Sequence, residues 1–142
     1  MGVYPNSEIH HTKSCTIGQF YLASYRVSGV KFRTIVLYGD YFADFFKKQR
    51  QKVKDKIIWT LRIIETQERI PIEYLKHLEG TDGLYEIRVK QGNDIFRIFC
   101  FFDEGKLVIL ANAFQKKSQK TPKSELERAL SIKKTYEQEQ QH

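Results

Sequence analysis

Two arginines lie inside short alternating apolar segments of this chain, Arg88 in LYEIRVK and Arg97 in DIFRIFCFF. A third segment, LVILANAF, runs straight into a basic knot of Lys116, Lys117 and Lys120. Cations on strand positions are costly unless they meet water, a partner or an anion. Several of them converging on one sheet face suit a phosphodiester, whose extra negative charge in a transition state they would stabilise. Glu86 sits two residues before Arg88 and is the acid closest in sequence to these cations. It is a candidate general base, though the cations beside it would weaken it in that role. Lys90 and Lys120 are candidates for holding flanking nucleic acid.

These residues need a sheet to carry them. Strict alternation places Leu84, Glu86, Arg88 and Lys90 on one face of the first segment, with Tyr85, Ile87 and Val89 on the other. The apolar face must meet helices, which predicts an open Glu86/Arg88/Lys90 face. In the second segment Arg97 falls with Ile95, Phe99 and Phe101, and both faces are apolar, as in a central strand. The turns Gln91-Gly92-Asn93-Asp94 and Asp103-Glu104-Gly105 make the three segments a meander, and Gly105 stands where a positive φ is useful. A cross-strand pair of Glu86 with Arg97, or of Glu86 with Arg88, is the structural alternative to a phosphate site. Phe99, Phe101 and Phe114 offer faces for stacked bases, but their burial tendency argues for plain core.

Upstream, RTIVLY (33–38) reads as a strand, and Gly39-Asp40 ends it and opens a helix. Phe42, Phe45, Phe46 and Gln49 recur at helical spacing, then Val53, Ile57, Leu61 and Ile64, with a turn near Gln49–Gln51. Lys52, Lys56, Arg62 and Glu65 lie on the polar side of the second helix. Pro71 marks its stop. EYLKHLEGTDG (73–83) reads as a loop with at most one helical turn. Thr121 and Pro122 are suited to the cap and first position of a last helix. The expected class is α+β: an N-terminal strand and helical hairpin, a three-stranded antiparallel meander and a C-terminal helix, with the helices on one face. Residues 1–32 are polar and aperiodic and read as an N-terminal extension, which leaves 33–142 as the domain.

The 142-residue chain carries 24 Lys+Arg against 17 Asp+Glu, a formal charge of +7, which favours an anionic partner. The apolar share of 41% and aromatic share of 13% fit a folded globule. No long apolar run or secretory signal is present, and Cys15 and Cys100 do not make a disulfide framework, so the expected home is the cytoplasm, with no membrane partner. His10-His11 lacks the further ligands a metal needs. No cofactor is expected.

The run LEGTDGLYEIRVKQGNDIFRIFCFFDEGKLVILANAFQKKSQKTP resembles the HigB type of the RelE/ParE toxin superfamily, the phage-derived branch of type II toxin–antitoxin toxins. The likeness covers about residues 33 to 139, and LYEIRV, FRIF and FQKKSQKTP carry it. The resemblance implies a compact α+β fold, a cytoplasmic protein, ribosome-dependent mRNA cleavage by metal-free 2′-OH attack, and a cognate helix-turn-helix antitoxin. By position it implies catalytic roles for Arg88, Arg97, Lys116 and Lys117. Glu86 stands where some relatives are basic, Ala113 where relatives often have Gly, and the catalytic Tyr or His of some relatives has no clear match, Tyr136 lying too far along. A ParE-like gyrase inhibitor and a non-catalytic relic that binds RNA or antitoxin are the competing readings. His77 is a further titratable candidate, or an exposed loop histidine. A metal-dependent nuclease needs converging carboxylates, and the acids here lie mostly on helices and turns.

Overall fold

The computed structural model describes residues 29–141, so the His10-His11 pair, Cys15 and most of the expected extension fall outside the described residues. The β-branched run forms β1 (Thr34–Leu37). A short helix follows, α1 (Tyr41–Lys47), then α2 (Gln51–Thr66), with the chain turning at Lys48–Arg50 as the spacing predicts. The expected loop holds a strand, β2 (Leu75–His77). The meander is β3 (Tyr85–Gln91), β4 (Asp94–Asp103) and β5 (Leu107–Lys116), and the chain closes with α3 (Lys123–Gln140). Helix α3 begins one residue later than expected: Pro122 is its cap and no side-chain cap bond forms.

All five strands join one sheet in the order β1-β5-β4-β3-β2. The meander pairs are antiparallel, while β1 runs parallel to β5, Thr34 opposite Leu107. The β3–β4 turn closes tightly, Gln91 opposite Asp94, and Gly92 takes the positive φ of 62° that such a turn needs. Gly105 also has the positive φ expected of it, 74°. The missed strand β2 pairs with Tyr85–Ile87 alone, and the Arg88 N–H donates to the Tyr74 carbonyl at 2.9 Å just beyond it. Three residues with one apolar member leave no alternation to read.

Helices cover both faces, not one. On the first, Ile57, Leu61 and Ile64 of α2 and Phe42 and Phe46 of α1 pack with Ile87, Val89, Phe96, Ile98 and Cys100. On the second, Ala129, Ile132 and Tyr136 of α3 pack with Leu84, Phe99, Phe101, Ile109, Ala111 and Phe114. The second core exists because β4 is apolar on both sides, so each side needs a cover. Cys100 is fully buried and unpaired, and burial pushes its thiol well above the ordinary range.

One irregularity directs the meander toward its site. Ile98 is opposite Ala113 but Cys100 is opposite Leu110, so Ala111 and Asn112 together oppose Phe99. This bulge reverses the alternation of β5. Ile109 and Ala111 face α3 before it, and Phe114 does so after it. Asn112 is turned to the same helix, its Nδ2 donating to the Glu125 carbonyl at 3.0 Å and to Glu125 Oε1 at 2.9 Å. With Phe114 on the α3 side, alternation carries Lys116 there as well.

Three polar contacts clamp α3. Tyr136 donates its hydroxyl to Asp103 Oδ2 at 2.6 Å, Tyr38 donates to Glu139 Oε2 at 2.7 Å, and Lys133 Nζ, which also meets Glu137 Oε2 of its own helix at 2.7 Å, reaches Asp82 Oδ2 at 3.4 Å. Burial pulls Lys133 down, but the Glu137 bond and charge and then Asp82 outweigh it, so its ammonium lies above the usual lysine value. Burial first, then the Glu139 carboxylate, pushes the Tyr38 phenol above its usual value. Both groups therefore hold their protons more tightly folded than unfolded. Their contribution is whole below the unfolded values, about pH 10, and is lost as pH rises through the folded ones. The melting temperature should fall above about pH 10, and fall less steeply in a Tyr38→Phe/Lys133→Met double variant. Tyr136→Phe should lower stability by about 1–3 kcal/mol in urea unfolding at neutral pH.

Candidate phosphate-binding face

The meander register sorts the candidate residues into rows that cross the sheet. Lys90, Ile95 and Lys116 form one row, Arg88, Arg97 and Phe114 the next, and Glu86 and Phe99 the third. Directly paired residues lie about 5 Å apart at Cα, so the two arginines face each other across neighbouring strands, and Lys90 and Lys116 flank Ile95 about 10 Å apart. The third row is closed: Phe99 is fully buried and Glu86 is 5% exposed. The first row is open, with Lys90 exposed and Lys116 half-buried. The expectation that Glu86, Arg88 and Lys90 share an open face is therefore corrected. Helix α3 covers the Glu86 end of that face and leaves the Lys90 end uncovered.

Glu86 is engaged by both arginines through a single oxygen. Its Oε2 lies 3.4 Å from Arg88 Nε and 3.6 Å from Arg97 Nε. The cross-strand pairing weighed against a phosphate site is thus present, twice over. Arg97 Nη1 also donates to the Phe96 carbonyl at 3.1 Å, while its Nε is buried without a hydrogen bond. Burial draws the Arg97 guanidinium below the ordinary arginine value, the Glu86 charge draws it back up, and Arg88 lowers it again. Two guanidinium charges thus meet one carboxylate. Arg97 is 6% exposed, and Arg88 keeps a third of its side chain in solvent.

The lysines complete the charge pattern. Lys90, Lys116, Lys117 and Lys120 have no ion pair among the described residues. Lys117 and Lys120 are exposed in the turn after β5, where the Ser118 hydroxyl donates to the Lys120 carbonyl at 3.0 Å. Lys116 is brought beside the arginine row by the β5 bulge, and Lys117 and Lys120 stay at the rim.

Several other candidates are placed elsewhere. His77 pairs with Tyr85, and their rings meet edge-on at 5.0 Å. Tyr85 packs on Phe102 and the α1–α2 core, so His77 lies on the face opposite Arg88. Tyr136 is a buried clamp of α3, not a residue of the cationic rows. Phe99, Phe101 and Phe114 are core, at 0%, 2% and 8% exposure, and offer no face to a base. Among the described residues no group of three or more His, Cys, Asp or Glu could hold a metal ion, and no helix is long and apolar enough to cross a membrane.

Residues beyond the meander also reach this region. A groove of about 440 Å³ beside the β3 edge is lined by Lys56 and Thr60 of α2, by Glu73, Tyr74 and Gly92, and by Arg88 and Lys90. Lys56 and Thr60 are four residues apart on one helix face. That spacing is visible in the sequence, but nothing there ties it to β3.

Removing Glu86 leaves two buried or half-buried arginines with no counter-charge, and breaking a buried pair from one side costs about 3–5 kcal/mol. Glu86→Ala should lose about that much in urea unfolding, and Glu86→Ala/Arg97→Met should regain most of it. A Glu86→Ala chain of unchanged stability would show that the carboxylate does not hold the arginines.

No curated protein matches the sequence. The family described as Phage derived protein Gp49-like (DUF891) matches residues 44–134, which takes in α2, the whole meander and most of α3. Those are the elements that carry both arginines, the bulge and the lysine knot. The chain belongs to this phage-derived, toxin-like family, within the RelE/ParE-like toxin superfamily.

Proposed function

We propose that the protein is the toxin of a toxin–antitoxin pair and acts as a HigB-type endoribonuclease on ribosome-bound mRNA. The observation that carries this is the charge imbalance at the arginine row. Two guanidiniums share one carboxylate oxygen, and Lys90 and Lys116, which have no ion pair among the described residues, stand in the next row. Excess positive charge in a partly desolvated place favours an anion there. A phosphodiester supplies it, and attack of the ribose 2′-oxygen on phosphorus adds the further charge these cations would stabilise.

In this mechanism the 2′-hydroxyl gives its proton to water as its oxygen bonds to phosphorus, the bond to the 5′-oxygen of the next nucleotide breaks, that oxygen takes a proton from the Lys116 ammonium, and a 2′,3′-cyclic phosphate remains. Arg88, the more exposed arginine, contacts the non-bridging oxygens. Arg97 acts from beneath as a source of positive field and of one donor. Lys116, with Lys117 beside it, meets the leaving oxygen. Glu86 does not serve as the base. Both its neighbours reach it through Nε, which leaves the Arg88 terminal nitrogens to the substrate side, so it positions the guanidiniums. Holding mRNA on the ribosome supplies the orientation that an isolated site of this kind lacks, itself a large share of the barrier. A helix-turn-helix antitoxin partner and a cytoplasmic location belong to the same reading.

The non-catalytic relic has one observation in its favour: Arg97 is nearly as buried as the apolar core around it and already bonds the chain. Induced expression separates the readings. Arg88→Ala and Arg97→Ala should each abolish growth arrest and lower mRNA cutting by about 10²-fold or more. Folded, soluble variants that remain fully toxic would sink the nuclease. Mapped RNA ends inside codons support it, whereas double-strand DNA damage without such ends indicates gyrase inhibition.

A further inference from the structure

We propose that the groove between α2 and the free edge of β3 is a second subsite for single-stranded RNA, which holds the nucleotides next to the phosphate at Arg88. The proposal rests on the nuclease reading and extends it to residues outside the meander. Strand β2 stops at the position opposite Ile87, and the Tyr74 carbonyl covers only the Arg88 N–H beyond it. Strand geometry turns the N–H and C=O of Lys90 to the same side as those of Arg88, so they point into the groove. Lys56, Arg88 and Lys90 line it against one acid, Glu73. Neither Lys56 nor Lys90 has an ion pair among the described residues.

An aromatic platform stands at the rim. Trp59 is 45% exposed, an uncommon position for the largest apolar side chain. Lys56 Nζ lies 4.1 Å from its ring centroid, and the Tyr74 ring meets it edge-on at 5.7 Å. Both of these partners line the groove, so the indole is fixed beside it. Cations that track a backbone next to a rigid exposed ring are what sequence-tolerant single-strand binding uses. A peptide strand added to the same edge is less well served: the uncovered stretch Val89–Gln91 spans about 10 Å, and the charge in the groove matches phosphates spaced along a chain. Arg88 belongs to both the groove and the arginine row, so one strand can run from the scissile phosphate into the groove without a break.

Trp59 is the one tryptophan of the sequence and so reports on its own site. The test titrates the full chain with a 2′-O-methyl oligouridine of about ten nucleotides, within the usual span of single-strand sites, which 2′-OH attack cannot cut. Saturable quenching of Trp59 fluorescence is expected, with affinity falling as salt rises. Lys56→Ala and Lys90→Ala should each reduce the slope of log affinity against log salt by about 0.7. Trp59→Ala should weaken binding about fivefold or more by anisotropy of labelled oligonucleotide. Absence of quenching, or unchanged salt slopes in both lysine variants, overturns the proposal. So does equal quenching by an oligoglutamate of matched charge, which would make the groove a peptide site. If the lysine and Trp59 variants cut mRNA and bind as the parent does, the groove assignment alone fails. If Arg88→Ala and Arg97→Ala remain toxic, the nuclease reading fails with it.

Discussion

The arrangement of the cationic face depends on one carboxylate held between two guanidiniums. Glu86 is buried opposite Phe99, and its Oε2 faces Nε of both Arg88 and Arg97. Without it, two like charges on directly paired strand positions would repel across about 5 Å. With it, the pair is tolerated and oriented, yet not neutralised. The sheet is left with a surplus of positive charge at the boundary between a sealed core and open solvent. A phosphate-binding protein needs that condition: cations already oriented, partly stripped of water and short of an anion.

That boundary is drawn by α3 and by the bulge in β5, and the two are linked. The bulge brings Asn112 toward α3, where it bonds Glu125 in the first turn, and so helps seat the helix over the Glu86 row. Past the bulge, the same reversal of alternation puts Phe114 under the helix and Lys116 beyond its reach. One extra residue thus decides both where the face is closed and which lysine stands at its open end. Tyr136, Glu139 and Lys133 hold the helix at its other end, against Asp103, Tyr38 and Asp82.

Family membership and geometry meet in the same segment. The Gp49-like match begins within α1 and ends within α3, so the elements it covers are those that build and close the cationic face. Belonging to a toxin-like family says what kind of protein this is. The arrangement of Arg88, Arg97, Lys90 and Lys116 is what motivates a phosphate as its target. The groove beside β3 adds a polar, cation-lined extension whose residues come from α2 and from the segment before β2.

The order of elements was legible in the chain, because period-two and period-3.6 patterns follow from local geometry alone. Alternation in LYEIRVK, the two-sided apolar run of DIFRIFCFF and the helical spacing from Val53 to Ile64 all became the expected elements. So was the presence of arginine at two strand positions, Arg88 and Arg97, which the register sets side by side. Three things depended on tertiary structure. β2 has too few residues for a pattern and forms only because β3 offers a partner edge. The bulge shows in no local signal, because it is a mismatch between two strands and not a property of either. The burial of Phe99 and Phe114 follows from which face α3 chooses, and a helix pattern records that a helix has an apolar side, not which surface will receive it.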